Sequence, residues 1–425
     1  MLTAISRYGA RVLPNTQQLI AECARRGELV QGPDVEAFEE AFSRLHGGRA
    51  AVTASYGRMA FYYILKAFQF PPGSEIIFPA LTFWVVPEMA RVLGLKPVFA
   101  DVDPETFNLD PQALERAITA NTRAVVPTHL YGQPCDMDEI LDIAARRRLA
   151  VIEDCAHALG AEYRGRPVGV FGDAAFFSFQ TLKPLNAYGG GMALVKEAPL
   201  AAAVRKLAHE EPWPAESEIR KKLNIGRIQR VLTRPDVFRW TLFPILWVSS
   251  FVRARPDVYL WEQIRPLDPL PAGYRRRFSN VQAALGLAGL RHLPAWTAAT
   301  RRNAELLTRA LSGLGFARPP EQSPGRTHVF YQYCLYAPER DRLVRLAIRR
   351  GLDVETLHVD VCTRLPLFEP YWSEAPGADR AAQAVQLPVY ASLSEDQMEW
   401  IARTIKSCFA PNPAAKAAVP HSAGR

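Results

Sequence analysis

The chain has 425 residues, 48% of them apolar and 22% charged, the balance of a soluble globular protein with room for two sizeable domains. No apolar run approaches the roughly 20 residues that span a bilayer, and the six scattered cysteines (Cys23, Cys135, Cys155, Cys334, Cys362, Cys408) form no CxxC pair, which argues against a disulfide framework and a zinc site and suits a reducing cytoplasm. The net charge of +8 is concentrated in one place: residues 205–277 hold 15 Lys and Arg against 8 Asp and Glu, with four of the eight tryptophans.

The first residues, MLTAISRYGARVLPNTQQL, lack the apolar core of a secretion signal, so none is expected. From residue 50 to 195 short apolar runs alternate with amphipathic stretches. Strands are predicted at 49–54, 75–79, 96–102, 123–130, 149–154, 173–179 and 191–195, with helices at 58–69, 83–93, 110–119 and 136–147. This alternation predicts an α/β protein with a mainly parallel seven-stranded sheet covered on both faces. Ligands of such sheets bind at the carboxyl ends of the strands. The pattern breaks at 205–277, a basic segment rich in Pro and Trp around WTLFPILWVSSFV (240–252). Thirteen helical residues span about 20 Å, too short for a hydrocarbon core of about 30 Å. Three readings stay open: packing within the protein or a dimer, a peripheral membrane contact through 239–255 with Arg239, Arg253 and Arg255 on anionic lipid, or a groove for an apolar substrate tail. The charge around them is either a solvated surface or a site for phosphates; no nucleic-acid partner is expected. A helix is predicted over 278–315. A smaller C-terminal α/β unit follows, with a strand at 329–336 and helices at 339–350 and 394–408. The expected division is 1–204, 205–277, 278–410 and a disordered tail, 411–425.

Four stretches carry chemistry. FFSFQTLKPLNAYGGG ends a buried strand and then places one lysine, Lys183, which either snorkels to the surface or is held in a pocket. In LAVIEDCAHALG, Asp154 closes another strand and His157 follows; the carboxylate caps a turn or faces a heterocyclic nitrogen. ASYGRMAFYYILKAF starts a helix behind Gly57, where free backbone N–H groups make a seat for phosphate. PALTFWVVPEM puts Phe83 after a strand, in the core or against a flat ring. Together they offer a lysine for an aldehyde, a carboxylate for a pyridine nitrogen, an aromatic face and a phosphate seat. Those are the needs of pyridoxal 5'-phosphate.

The stretches GPDVEAFEEAF (32–42), FADVDPETFNLDP (99–111), PTHLYGQPCDMDEI (127–140) and, above all, VIEDCAHALGAEYRGRPVGVFGDAAFFSFQTLK (151–183) resemble the DegT/DnrJ/EryC1/StrS family of sugar aminotransferases, with weaker matches at RFSNVQAALGL and LPVYASLSEDQ. The resemblance implies the type I aminotransferase fold and pyridoxal phosphate. It implies that Lys183 bonds the cofactor, Asp154 pairs with its ring nitrogen, His157 lies beside the ring and Phe83 stacks on it. Ser178 and the amides of Gly57 and Arg58 would hold the phosphate. A small amino donor, usually glutamate, and a keto-sugar acceptor are implied as substrates, with a homodimer as the working form.

Two departures stand out. The family's Ser-Gly-Thr at the phosphate turn is Tyr56-Gly57-Arg58 here, and an asparagine that reaches the partner subunit's cofactor phosphate in relatives is Arg275 here. The expected acceptor is a nucleotide-linked keto sugar. A lipid-linked or amphiphilic ketone and a non-catalytic regulatory role are the alternatives; Lys183 and Asp154 argue against the last. A dehydratase branch is disfavoured, because its members replace the lysine with histidine.

Overall fold

A computed structural model describes residues 3–9, 13–252, 263–312, 314, 324–356 and 358–409. The predicted tail (411–425), Arg253 and Arg255 lie outside the described residues.

Seven strands form the central sheet: β1 (Ala50–Ala54), β2 (Glu75–Pro79), β3 (Lys96–Ala100), β4 (Thr122–Val125), β5 (Ala150–Asp154), β6 (Ala174–Ser178) and β7 (Gly191–Val195). Their order is β1-β7-β6-β5-β4-β2-β3. Only β7 runs antiparallel to its neighbours. These strands read as near-continuous apolar runs because helices cover both faces. The predicted strand 123–130 is shorter in the structure. Pro127 has no N–H to give the ladder, and the chain turns through Leu130–Gly132 with Tyr131 at φ 55°. The strand predicted to reach residue 102 ends at Ala100.

Helices Gly57–Phe68, Val85–Val92, Pro111–Ala117 and Met137–Arg147 lie within two residues of their predicted ends. The second starts at Val85 rather than at 83, which leaves Phe83 half-buried at a strand end.

The basic segment is helical: Ala198–His209, which crosses the expected boundary at 204, then Glu216–Leu232, Pro235–Phe238 and Leu242–Val252. In the last, Phe243 and Leu246 are buried in the core of the smaller domain, and the carbonyl of Ser250 accepts from Arg349 at 2.9 Å. Trp240, Ile245, Val248, Phe251 and Val252 on the same stretch are exposed. The packing alternative therefore accounts for one side of this helix. Among the described residues no helix is long and apolar enough to cross a membrane.

Helix Asn280–Leu311 leads into the smaller domain, where Tyr333–Leu335 pairs antiparallel with Val385–Leu387 between helices Arg340–Arg349 and Glu395–Phe409. The strand predicted at 329–336 is only three residues long. Val329 and Gln332 instead donate their N–H groups to Gly132 and Tyr131 of the larger domain. The start of the chain also lies on the smaller domain: Ile5 pairs with Gly351 and Asp353, and Arg7 meets Asp353 at 2.6 Å with both side chains buried.

Candidate active site

A cavity of about 460 Å³ opens at the carboxyl ends of β5 and β6, roofed by the smaller domain. Gly57, Arg58, Phe83, Asp154, His157, Ser178 and Lys183 all line it. Lys183 sits five residues beyond β6 in a turn closed by its own N–H on the Gln180 carbonyl, 2.9 Å. Its ammonium lies 4.9 Å from the centre of the Tyr331 ring. Burial lowers its pKa to about 8; Asp154 opposes this, Arg58 adds to it, and Glu355 opposes it. Asp154 is the last residue of β5, and its carboxylate accepts from the Ala156 N–H at 3.0 Å. Burial pushes it up to about 6, against the Ala156 N–H and Lys183.

His157 stacks on Tyr331 at 4.3 Å. Burial, helped by the charge on Lys183, holds it well below its usual pKa, so the ring is neutral. Its Nδ1 is buried without a hydrogen-bond partner. An orphaned buried nitrogen is costly unless a ligand satisfies it.

Gly57 opens its helix with no side-chain cap. A Cβ there would lie 2.9 Å from the Phe177 carbonyl, so only glycine lets the helix start press against β6 beside Ser178. The Arg58 guanidinium bonds the Tyr274 hydroxyl and lies 5.5 Å from the centre of the Phe83 ring. Arg275, by contrast, does not line the cavity. It reaches Glu211 at 3.0 Å and is 61% exposed.

His129, Glu153 and Cys155 also cluster within 4.8 Å. The Cys135 amide donates to His129 Nδ1, so Nε2 carries the proton that meets Glu153 at 3.0 Å. Glu153 also takes the N–H groups of Gly169, Phe171 and Gly172. The His129 ring and the Glu153 carboxylate are thus engaged in bracing β5.

Several cavity residues were not singled out in the sequence. The Tyr331 hydroxyl meets His358 Nε2 at 2.8 Å, and His358 Nδ1 meets Glu355 at 3.2 Å. Tyr8 reaches the same Glu355 at 2.9 Å. Gln229 and Tyr274 come from the basic segment. Each arrives from a distant part of the chain with no local motif to mark it.

The donor set fits pyridoxal phosphate: an amine of lowered pKa, a buried carboxylate, an unpartnered imidazole nitrogen, an aromatic face and an arginine beside an uncapped helix start. The sequence profile of the DegT/DnrJ/EryC1/StrS aminotransferase family matches residues 13–230 and 236–406. The spore coat polysaccharide biosynthesis protein SpsC of Bacillus subtilis is 41% identical over 404 residues, 92% of this chain and 93% of that protein. GDP-perosamine synthase of Caulobacter vibrioides is 31% identical over 414 residues, covering 94% and 96%. A pleiotropic regulatory protein of Geobacillus stearothermophilus is 30% identical over 412 residues, covering 95% and 97%. The crystal structure of the aminotransferase TlmJ from Streptoalloteichus hindustanus shares the fold, with a TM-score of 0.78 at 24% identity over 95% of this chain and 98% of that one. With its profile matched along nearly the whole described length and its strand-end cavity carrying the expected side chains, the chain belongs to the DegT/DnrJ/EryC1/StrS aminotransferase family.

Proposed function

We propose that the protein is a pyridoxal-phosphate-dependent aminotransferase that moves an amino group from a small amino donor such as glutamate to a nucleotide-linked keto sugar. The observation that carries this reading is the meeting of Lys183, Asp154 and the unpartnered His157 Nδ1 in one cavity at the strand ends. The cofactor, when bound, supplies an aldehyde and an electron-withdrawing ring.

The protein's own residues do the rest. Asp154, ionised above its pKa of about 6, would hold a proton on the cofactor's ring nitrogen. His157, neutral, would meet the cofactor ring through its unpartnered Nδ1. Ser178, Arg58 and the Gly57 amide would hold the phosphate, where the hydroxyl-bearing turn of relatives is replaced by a guanidinium. Lys183, neutral in a large fraction near pH 8, would hold the cofactor's aldehyde end and move the substrate proton. Phe83 and Tyr331 exclude water.

The acceptor class rests on relatives: GDP-perosamine synthase and the UDP-N-acetyl-3-dehydro-α-D-glucosamine 3-aminotransferase of Acidithiobacillus ferrooxidans, 30% identical over 386 residues, are both named for nucleotide-sugar chemistry. A regulatory role, which one relative's name indicates for that relative, gains no support from a cavity with its acid–base residues in place. Nothing in the cavity favours a lipid-linked acceptor over a soluble one. Arg275, exposed and outside its own cavity, suits a contact with the partner subunit's cofactor phosphate in a cytoplasmic homodimer.

The test incubates the loaded protein with glutamate and either UDP-N-acetyl-3-dehydroglucosamine or a GDP-linked 4-keto-6-deoxyhexose. Mass spectrometry should find an amino sugar nucleotide and one equivalent of 2-oxoglutarate. Formation of neither from any keto-sugar nucleotide would overturn the proposal.

A further inference from the structure

The Glu216–Leu232 helix turns one face to the active site. Residues 222, 226 and 229 follow an i, i+4, i+7 spacing, which places them in line on a helix. The half-buried Lys222 ammonium lies 5.0 Å from the centre of the ring of Tyr56, a cavity residue. At Gly226 a Cβ would stand 2.0 Å from the Tyr188 ring. Tyr188 belongs to the same β6–β7 connection as Lys183, so the bare backbone of Gly226 lets the helix seat directly on the lysine's loop. One turn further, Gln229 lines the cavity itself. Its side chain is exposed, and among the described residues its hydrogen bond is through the backbone carbonyl, to the Thr233 hydroxyl.

We propose that the Gln229 amide is a specificity-determining group which hydrogen-bonds a hydroxyl of the keto sugar. The inference rests on the function proposed above and adds the residue that reads its acceptor. The chemistry of the two substrates separates them. Glutamate presents two carboxylates, whose strong partners are cationic donors. A neutral amide, with both donor and acceptor atoms, matches a sugar hydroxyl. The acceptor is also the larger of the two substrates, and Gln229 is an exposed residue of the cavity wall.

The test compares wild type and Gln229→Ala on the two keto-sugar nucleotides named above, with glutamate as donor. One hydrogen bond between uncharged groups is worth roughly three- to tenfold in affinity. The acceptor KM should therefore rise about three- to tenfold, while kcat and the glutamate KM stay as in wild type. Gln229→Asn, which keeps the amide on a shorter arm, should fall between the two. An unchanged acceptor KM in Gln229→Ala refutes the inference. So does an equal rise in both KM values, which would make Gln229 a merely structural residue. A wild type that aminates no keto-sugar nucleotide refutes the proposed function, and this inference with it. A wild type that aminates one, beside an unaffected variant, refutes this inference alone.

Discussion

The chemistry of single residues here follows from burial. Lys183 and Asp154 line one cavity whose burial penalises both charges. The lysine is brought down to about 8 and the aspartate up to about 6. Acylating reagents attack only the neutral amine, so labelling of Lys183 in the cofactor-free protein should rise with pH about a midpoint near 8, well below that of surface lysines. Peptide mass spectrometry across a pH series checks this. Asp154→Asn removes the carboxylate that favours the ammonium, so the midpoint should move below 8. The same variant, loaded with cofactor, should keep it bound yet lose about a hundredfold or more in turnover, because an amide cannot hold the ring nitrogen protonated. Normal turnover would reduce Asp154 to a turn cap. Lys183, Asp154, His157, Phe83, Ser178, Gly57 and Arg58 were legible because each sits at or just after a strand end or a helix start, inside a recognisable run. Tyr331, Glu355 and Gln229 were not, because their meaning exists only once the smaller domain and the basic segment fold onto the sheet.

At the scale of elements, the seven strands were legible as apolar runs, and the errors have local causes. Pro127 cuts the ladder of β4, and the backbone at 329–332 bonds to the turn at 131–132 instead of extending a strand. The junction of the Gly57–Phe68 helix with β6 and β7 has no room for a side chain: a Cβ on Gly191 would lie 2.4 Å from the Gly57 nitrogen, and one on Gly57 2.9 Å from the Phe177 carbonyl. Gly57→Val should push the helix start off the sheet, with a stability loss of about 1–3 kcal/mol. Affinity for pyridoxal phosphate should fall much more than affinity for pyridoxal, which lacks the phosphate. Equal losses for the two would mean that this helix start is not the phosphate seat.

Across the whole molecule, the start of the chain and the smaller domain close over the sheet together. Arg7 lies buried against Asp353, and Tyr8 and Glu355 meet in the cavity wall. Arg7→Ala strands a buried carboxylate and should cost about 3–5 kcal/mol in urea unfolding, with weaker cofactor retention. A loss below about 1 kcal/mol would show that the pair is not needed to hold the roof. Mixing Lys183→Ala chains with Arg275→Ala chains tests whether each site borrows from its neighbour. Activity above both parents is expected, and none would place Arg275 within its own subunit or outside the reaction. The most direct measurement is covalent: load the protein with pyridoxal phosphate, reduce with borohydride, digest, and map the cofactor's mass by peptide sequencing. Attachment at Lys183 alone is the predicted result; attachment at Lys196, Lys206 or Lys222 instead, or no attachment at all, would contradict it.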